Sequence, residues 1–296
     1  MANSYRLYLL GGFRLEREGA RVQLYSRKVE SLLAYLVLFP QEHAREKLAA
    51  LLWGDSTDEQ ARHSLRMGLS SIRKHLSNDA LLADRETVQW NPKFALWVDA
   101  RDLMTDAGIA GDSRRRTTNE GVSGLLSAVA LYRGDLLPDF YDDWLTPLRD
   151  EYRDLYIHAL LQLVQQHRAQ GEYAQAIEWA QKVLNSDAAN EAAHQHLIVC
   201  YSALGNRTAA LDQYDACQTA LRDELGVPPA PETRALYEKI LAQTDTQSPA
   251  ARLTNLPRPT TSFVGREREI EEIRGLLTAD DGQRTTSLPI TRHSSP

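Results

Sequence analysis

The sequence predicts a mainly α-helical protein with a small β component: strands, three helices and a hairpin, then a run of helical pairs. Three observations predict it. Short stretches of β-forming residues bracket the first hundred positions, at 5–24 and 81–98. Between them, three segments carry apolar residues at helical spacing. From about residue 122 to 242 almost every segment has helical periodicity, with breaks at Gly134, Pro138, Pro147, Gly171, Gly205 and Gly226.

Each element has a local reason. Residues 5–16 mix β-formers with the pair Gly11-Gly12, and 20–24 alternate again after Gly19, which reads as short antiparallel strands. From Ser26 the period changes: Val29, Leu32, Leu33, Leu36 and Val37 share one helical face, and Pro40 stops the run. A second, shorter helix spans 45–52 and ends near Trp53-Gly54. A third follows Ser56-Thr57-Asp58-Glu59, which offers a capping hydroxyl and first-turn acids, and runs to about Leu76. Residues 81–90 read as two β segments around a turn, and 94–98 are expected to pair with them.

Residues 104–121 are polar and glycine-rich and read as a linker, so the first domain is placed at 1–103 and a helical domain at 122–242. The helical part repeats itself at a shift of 34 residues: Leu163 meets Leu197, Val164 meets Ile198, Gly171 meets Gly205, Ala176 meets Ala210 and Ile177 meets Leu211. That is the tetratricopeptide (TPR) period, a helix–turn–helix whose turn takes glycine and whose second helix needs a small residue. Residues 243–262, rich in Pro, Thr and Ser, read as a second linker. In 263–296 a helix starting near Phe263 fades by Leu277 into a polar tail expected to be disordered.

Composition removes several function classes. The chain has 296 residues and a net charge of −6, which fits two domains plus tails. Its longest apolar run, 32–39, is too short to span a bilayer, and the first ten residues lack the apolar core and cleavage site of a signal peptide. Cys200 and Cys217 make neither a disulfide framework nor a four-ligand zinc site, so a reducing, cytoplasmic setting is expected. The charge is uneven: residues 1–103 carry a net +2 and residues 104–296 a net −8. Nucleic acid is therefore expected as a partner of the N-terminal part alone.

The third helix carries the chemistry. Ala61, Leu65, Leu69, Ile72 and Leu76 fall within an arc of about 80° and must face a core. Arg62, Arg66 and Arg73 lie beside that stripe, and His63, Met67, Ser70 and Lys74 lie beyond them. From Gln60 to Asn78 there is no acidic residue, against four Lys+Arg and two His. An isolated cationic helix is most simply a solvated face. A solvated helix, however, normally mixes signs so that ion pairs form along it. A helix that leaves its cations unneutralised, third in a three-helix unit that ends in a hairpin, has the arrangement of a winged helix, whose last helix enters the major groove.

Residues 1–103 resemble the OmpR-type winged helix, and residues 1–242 together resemble the SARP family (Streptomyces antibiotic regulatory proteins). The matching segments in the first domain are Leu9-Leu-Gly-Gly-Phe, Ser26-Arg27-Lys28, Leu51-Leu-Trp-Gly-Asp, Ser64-Leu-Arg-Met-Gly-Leu-Ser-Ser-Ile-Arg-Lys-His-Leu and Leu96-Trp-Val-Asp. In the second they are Tyr132-Arg-Gly-Asp-Leu-Leu-Pro, Trp144 and Glu224-Leu-Gly-Val-Pro-Pro-Ala-Pro-Glu. The resemblance implies an OmpR-type winged helix followed by a TPR-like bacterial transcriptional activation domain. It implies a sequence-specific DNA-binding activator on promoter direct repeats, with head-to-tail dimers on double-stranded DNA and contact with RNA polymerase holoenzyme, in the nucleoid. One departure stands out: OmpR-type recognition helices often carry more Arg in mid-helix, where this chain has Gly68, Ser70 and Ser71. Phe263-Val-Gly-Arg-Glu-Arg-Glu-Ile resembles the opening of a STAND-type ATPase domain, here truncated; no Gly-Lys pair occurs in the chain, so no nucleotide or other cofactor is expected.

The candidate base-reading residues are His63, Arg66, Met67 and Ser70. The candidate phosphate contacts are Arg62, Arg73 and Lys74, with Arg85 from the hairpin and Arg27 and Lys28 from the first helix. The run Arg114-Arg-Arg116 reads as a solvated loop, with a supplementary backbone contact as its alternative. His194 and His196 point to different helix faces and do not read as ligands. Cys200 and Cys217 are expected to pack as small apolar groups, and Trp53, Trp90 and Trp97 to pack in the core and wing. No catalytic motif is present, so an enzyme is unsupported. DNA attraction is expected in residues 1–103 alone, enough for that part to bind one half-site by itself. The rival reading is a TPR-type protein-interaction scaffold or signalling adaptor that binds no DNA; the acid-free third helix argues for DNA.

Overall fold

The computed structural model describes residues 5–107 and 118–242. The N-terminal half begins with strands β1 (Tyr5–Tyr8), β2 (Arg14–Arg17) and β3 (Ala20–Val22). Helix α1 (Arg27–Leu38), the short strand β4 (His43–Ala44), helix α2 (Arg45–Trp53) and helix α3 (Asp58–His75) follow. A 3-10 turn (Asn78–Ala80) then leads to β5 (Leu81–Ala83), β6 (Thr87–Trp90) and β7 (Leu96–Val98). The predicted helix starts are built as their caps dictate. Ser26 accepts the N–H of Val29, and Thr57 forms a capping box with Gln60. The chain leaves α1 at Phe39, one residue before Pro40.

The strands make two sheets, in the orders β3-β2-β1-β7 and β4-β6-β5. The expectation that residues 94–98 pair with the hairpin is therefore corrected. Strand β7 instead lies parallel to β1, with Tyr5 opposite Leu96 and Leu7 opposite Val98. The reason is burial: Leu7 and Val98 alternate in phase and both reach the core. The edge of β6 left free is taken by β4, with His43 opposite Val88. The predicted stripe of α3 is buried, and α3 packs against α1 and α2. Gly68 and Ser71 belong to that buried side. A Cβ at Gly68 would lie 3.1 Å from Leu32 and 3.4 Å from Val29, so this glycine lets α3 close on α1.

The second half consists of α4 (Asp99–Asp106), α5 (Thr118–Leu131), α6 (Leu145–Ala169), α7 (Tyr173–Ser186), α8 (Glu191–Ala203), α9 (Arg207–Leu225) and α10 (Pro231–Ala242). Two of these helices occupy parts of the expected linker: α4 continues to Asp106 and α5 starts at Thr118. The polar composition there concealed the end of an amphipathic helix, where Ala107 is buried.

The 34-residue repeat is visible bond for bond. In one turn Gly171 N–H donates to Arg168 O and Glu172 N–H to His167 O; in the other Gly205 N–H donates to Ser202 O and Asn206 N–H to Tyr201 O. Gly171 and Gly205 have φ of 78° and 74°, a left-handed conformation that favours glycine. Ala176 and Ala210 are fully buried where the second helix of each pair closes on the first.

The two halves are joined by more than a chain crossing, and the segments that carry the family resemblance meet at the joint. The backbone N–H groups of Leu9 and Leu10 donate to the buried carboxylate of Asp99, at 2.9–3.1 Å. Leu10 bridges to Leu136, and Gly11 N–H donates to Asp135 O at 2.9 Å. A Cβ at Gly11 would lie 3.0 Å from the carbonyl of Arg133, and one at Gly134 would lie 3.3 Å from Gly11. Trp144 meets Tyr35 of α1 edge-on at 5.1 Å. Leu136, Leu137, Phe140, Leu145, Tyr152 and Leu155 share one apolar core with β1, α1 and α3. A winged helix ending at residue 103 would expose that surface, because residues 1–103 share this core with the helical half.

Candidate nucleic-acid interface

Helix α3 is amphipathic, and the core takes its apolar side. Its outer side presents Arg62, His63, Arg66, Met67, Ser70 and Lys74, all exposed, with Arg73 half-buried at their edge. Met67 is 51% exposed, an unusual position for an apolar side chain on a folded surface. Of the departures from the OmpR-type pattern, Gly68 and Ser71 face inward and serve packing, and only Ser70 faces out.

Behind the outer side lies a cleft of about 490 Å³ lined by Arg45, Arg66, Leu69, Ser70, Arg73, Lys74 and Asn78. Arg45 comes from the first turn of α2, and its Nε is buried without a hydrogen-bond partner among the described residues. No carboxylate lies within 4.0 Å of Arg45, Arg66, Arg73 or Lys74 among the described residues. Sequence reasoning missed Arg45 because it sits on another helix, and only the crossing of α2 and α3 brings it to Arg66 and Arg73.

Arg62 differs. Its guanidinium is paired with Glu46 of α2 at 2.9 Å, so the sequence reading that every cation of this helix is unneutralised fails at this residue. The pair is exposed on both sides and worth little in isolation. Arg85 is exposed at the tip between β5 and β6. The tip is held by Asp84, which accepts the N–H groups of Glu86 and Thr87 at 2.8 and 2.7 Å. Those bonds hold the Asp84 carboxyl below the usual carboxylate range. Arg45 N–H donates to Glu86 O at 2.9 Å, which ties the hairpin tip to the start of α2.

Arg27 and Lys28, both exposed, have partners in the helical half. Arg27 donates to Asp139 O at 3.0 Å. Lys28 pairs at 2.8 Å with Asp142, whose other oxygen accepts from the buried Ser31 hydroxyl at 2.6 Å. These cations clamp the helical half onto α1 and would have to abandon that contact to reach a phosphate.

The remaining singled-out residues have structural places. Trp53 packs over Gly68, Trp90 meets Phe94 edge-on, and Trp97 packs on Tyr8 while its indole N–H donates to Asp102 at 2.6 Å. His194 is buried between Ala188 O and Gln213, and His196 contacts Arg168. Burial and that guanidinium bring the His196 pKa down to about 4. Cys200 and Cys217 are fully buried in the helical cores. Arg114–Arg116 and residues 263–296 lie outside the described residues.

The profile of the bacterial transcriptional activator domain (BTAD) matches residues 99–241. The chain is 26% identical over 266 residues to the transcriptional regulatory protein MoaR1 of Mycobacterium tuberculosis, covering 86% of this chain and 84% of that one. It is 24% identical over 300 residues to the regulatory protein AfsR of Streptomyces coelicolor, covering 95% of this chain and 30% of the other. Among solved structures it is similar to Mycobacterium tuberculosis EmbR in complex with a low-affinity phosphopeptide. That match has a TM-score of 0.69 and 22% identity, over 95% of this chain and 71% of that one.

Proposed function

We propose, from the bacterial transcriptional activator domain over residues 99–241 and the similarity to transcriptional regulators, that the chain is a SARP-family activator that reads promoter direct repeats with α3 and the hairpin wing. The observation that carries this reading is the outer side of α3, where Arg66, Arg73 and Lys74 stand exposed or half-exposed without a carboxylate partner among the described residues. A duplex supplies the missing negative charge.

In this reading α3 lies in the major groove. Arg66 donates to a guanine edge, Met67 packs on a thymine methyl, and His63 and Ser70 take the flanking base edges. Arg73, Lys74 and Arg85 neutralise phosphates and set the register. Arg62 makes a weaker phosphate contact, because part of its charge is already met by Glu46. The helical half, which with the rest of 104–296 carries a net −8, supplies protein contacts: between copies arranged head to tail on successive repeats, and with RNA polymerase holoenzyme.

Selection of bound sequences from a random duplex pool with the full chain tests the reading. Enrichment of a repeated half-site in direct orientation is expected. A pool that stays unenriched at low salt contradicts DNA reading and favours the scaffold alternative.

A further inference from the structure

We propose that the cleft between α2 and α3 is a seat for a single backbone phosphate and that Arg45, which no sequence feature marks, is its clamp. This deepens the DNA reading above and rests on it. Four cationic side chains from two helices converge on the cleft: Arg45 from α2, and Arg66, Arg73 and Lys74 from α3. Ser70 and Asn78 add polar groups that can donate to a phosphate oxygen. Leu69 is the one apolar side chain in the lining.

Two independent features point to an anion. The first is charge. Like charges so close normally draw in an acid, as Arg62 draws Glu46 on the same pair of helices. In the cleft no carboxylate is within ion-pair distance among the described residues. Asp84 lies near enough to feel Arg45, but its Oδ1 is committed to the N–H groups of Glu86 and Thr87 and its carboxylate is not within ion-pair distance of Arg45. The second is the Arg45 Nε, buried in this conformation and without an acceptor among the described residues, so that a turn of the side chain toward the cleft would pair it. Buried donors are almost always paired, and an unpaired one asks for a ligand. A guanidinium offers Nε and a terminal nitrogen as a parallel fork, which matches two oxygens of one phosphodiester.

The clamp also has a positional consequence. Arg45 is fixed to the wing tip through its own N–H and the Glu86 carbonyl. A phosphate held by Arg45, Arg73 and Lys74 would therefore set α2, α3 and the wing tip on the duplex together, with Arg66 at the boundary between the phosphate and the base edges.

The test pairs protein and DNA changes in the full chain. Arg45→Gln and Arg45→Lys are compared with wild type on the selected duplex. Single methylphosphonates, which remove one phosphate charge at a time, are then scanned along both strands. Arg45→Gln is expected to weaken binding about tenfold and to reduce the salt slope by less than about 0.9, because Arg73 and Lys74 keep part of that phosphate neutralised. Arg45→Lys should recover the slope but only part of the affinity, because a point charge replaces a fork. One methylphosphonate position should weaken wild type more than it weakens Arg45→Gln, because Arg73 and Lys74 still face the same phosphate. Unchanged thermal melting separates these losses from unfolding.

If wild type binds with a steep slope and no methylphosphonate position couples to Arg45, the seat is overturned while the DNA reading stands. If wild type fails to bind duplex at low salt, the DNA reading itself fails, and the phosphate seat with it. Inorganic phosphate against chloride at equal ionic strength separates the two sources of the ligand. Arg45-dependent thermal stabilisation by free phosphate without methylphosphonate coupling would make the cleft a small-anion site and contradict the proposal.

Discussion

Asp99 shows what a single residue does at the joint. Both of its oxygens accept backbone N–H groups, from Leu9, Leu10 and Ala100, yet burial outweighs those bonds and raises its pKa to about 6. A carboxyl with a folded pKa above its unfolded value stabilises the fold most when protonated. Its contribution is full below about pH 4 and lost as pH rises to about 6. The shift corresponds to about 3 kcal/mol. Asp99→Asn removes the titration while disturbing the acceptor pair, so the variant should be less stable throughout. Its deficit against wild type should shrink as pH rises from 4 to 6.5, and urea unfolding across that range measures the gap. A gap that stays constant contradicts the assignment. Gly68 makes a second case. Its Cβ would press on Leu32 and Val29, both fully buried, so Gly68→Val should cost about 2 kcal/mol or more through overpacking and the β-branch, read as a fall in Tm. Neither role was legible in the sequence. Asp99 was visible only as part of a matching segment, and Gly68 looked like a gap in the reading face until the structure turned it inward.

At the scale of elements, periodicity carried most of the fold. The stripe Ala61–Leu65–Leu69–Ile72–Leu76 fixed which side of α3 is buried, and Ser26 and Thr57 fixed where α1 and α3 begin. The repeated Gly171 and Gly205 located two turns that share their hydrogen bonds. Pairings between distant segments were not legible, because alternation does not name a partner: β7 joined β1, and β4 arose from two residues with no strand signal. The same limit hid Arg45 and the Arg62–Glu46 pair, since both depend on how α2 crosses α3. The interface predicts a ranking along α3. Arg66→Ala should cost about 1–3 kcal/mol on the selected site and relax preference at one base position. Lys74→Ala should weaken all duplexes alike, and Arg62→Ala should do so by less, because Glu46 already shares its charge. Fluorescence anisotropy on selected and scrambled duplexes orders the three. Equal losses for Arg66→Ala on both would remove its base-reading role.

At the scale of the molecule, the two halves share a core, and this changes what a truncation means. Residues 1–103 lack Leu136, Leu137, Phe140 and Leu145, which cover β1 and α1, and lack Asp142, which holds Lys28 and Ser31. The fragment should therefore lose cooperative thermal unfolding, whereas 1–242 should retain it. A sharp transition in 1–103 would show that the halves fold independently. In the proposed function, the shared core would let one body present the DNA contact and the protein contact together, which suits copies placed in a single direction along a duplex. The central claim, that the unpaired cations of α3, α2 and the wing meet a polyanion, is tested most directly by the salt dependence of duplex binding by the full chain. With one phosphate held jointly by Arg45, Arg73 and Lys74, a second by Arg85 and a weaker third by Arg62, the slope of log K against log salt should lie between about −2 and −3. A slope near zero, or no duplex binding at low salt, would contradict it.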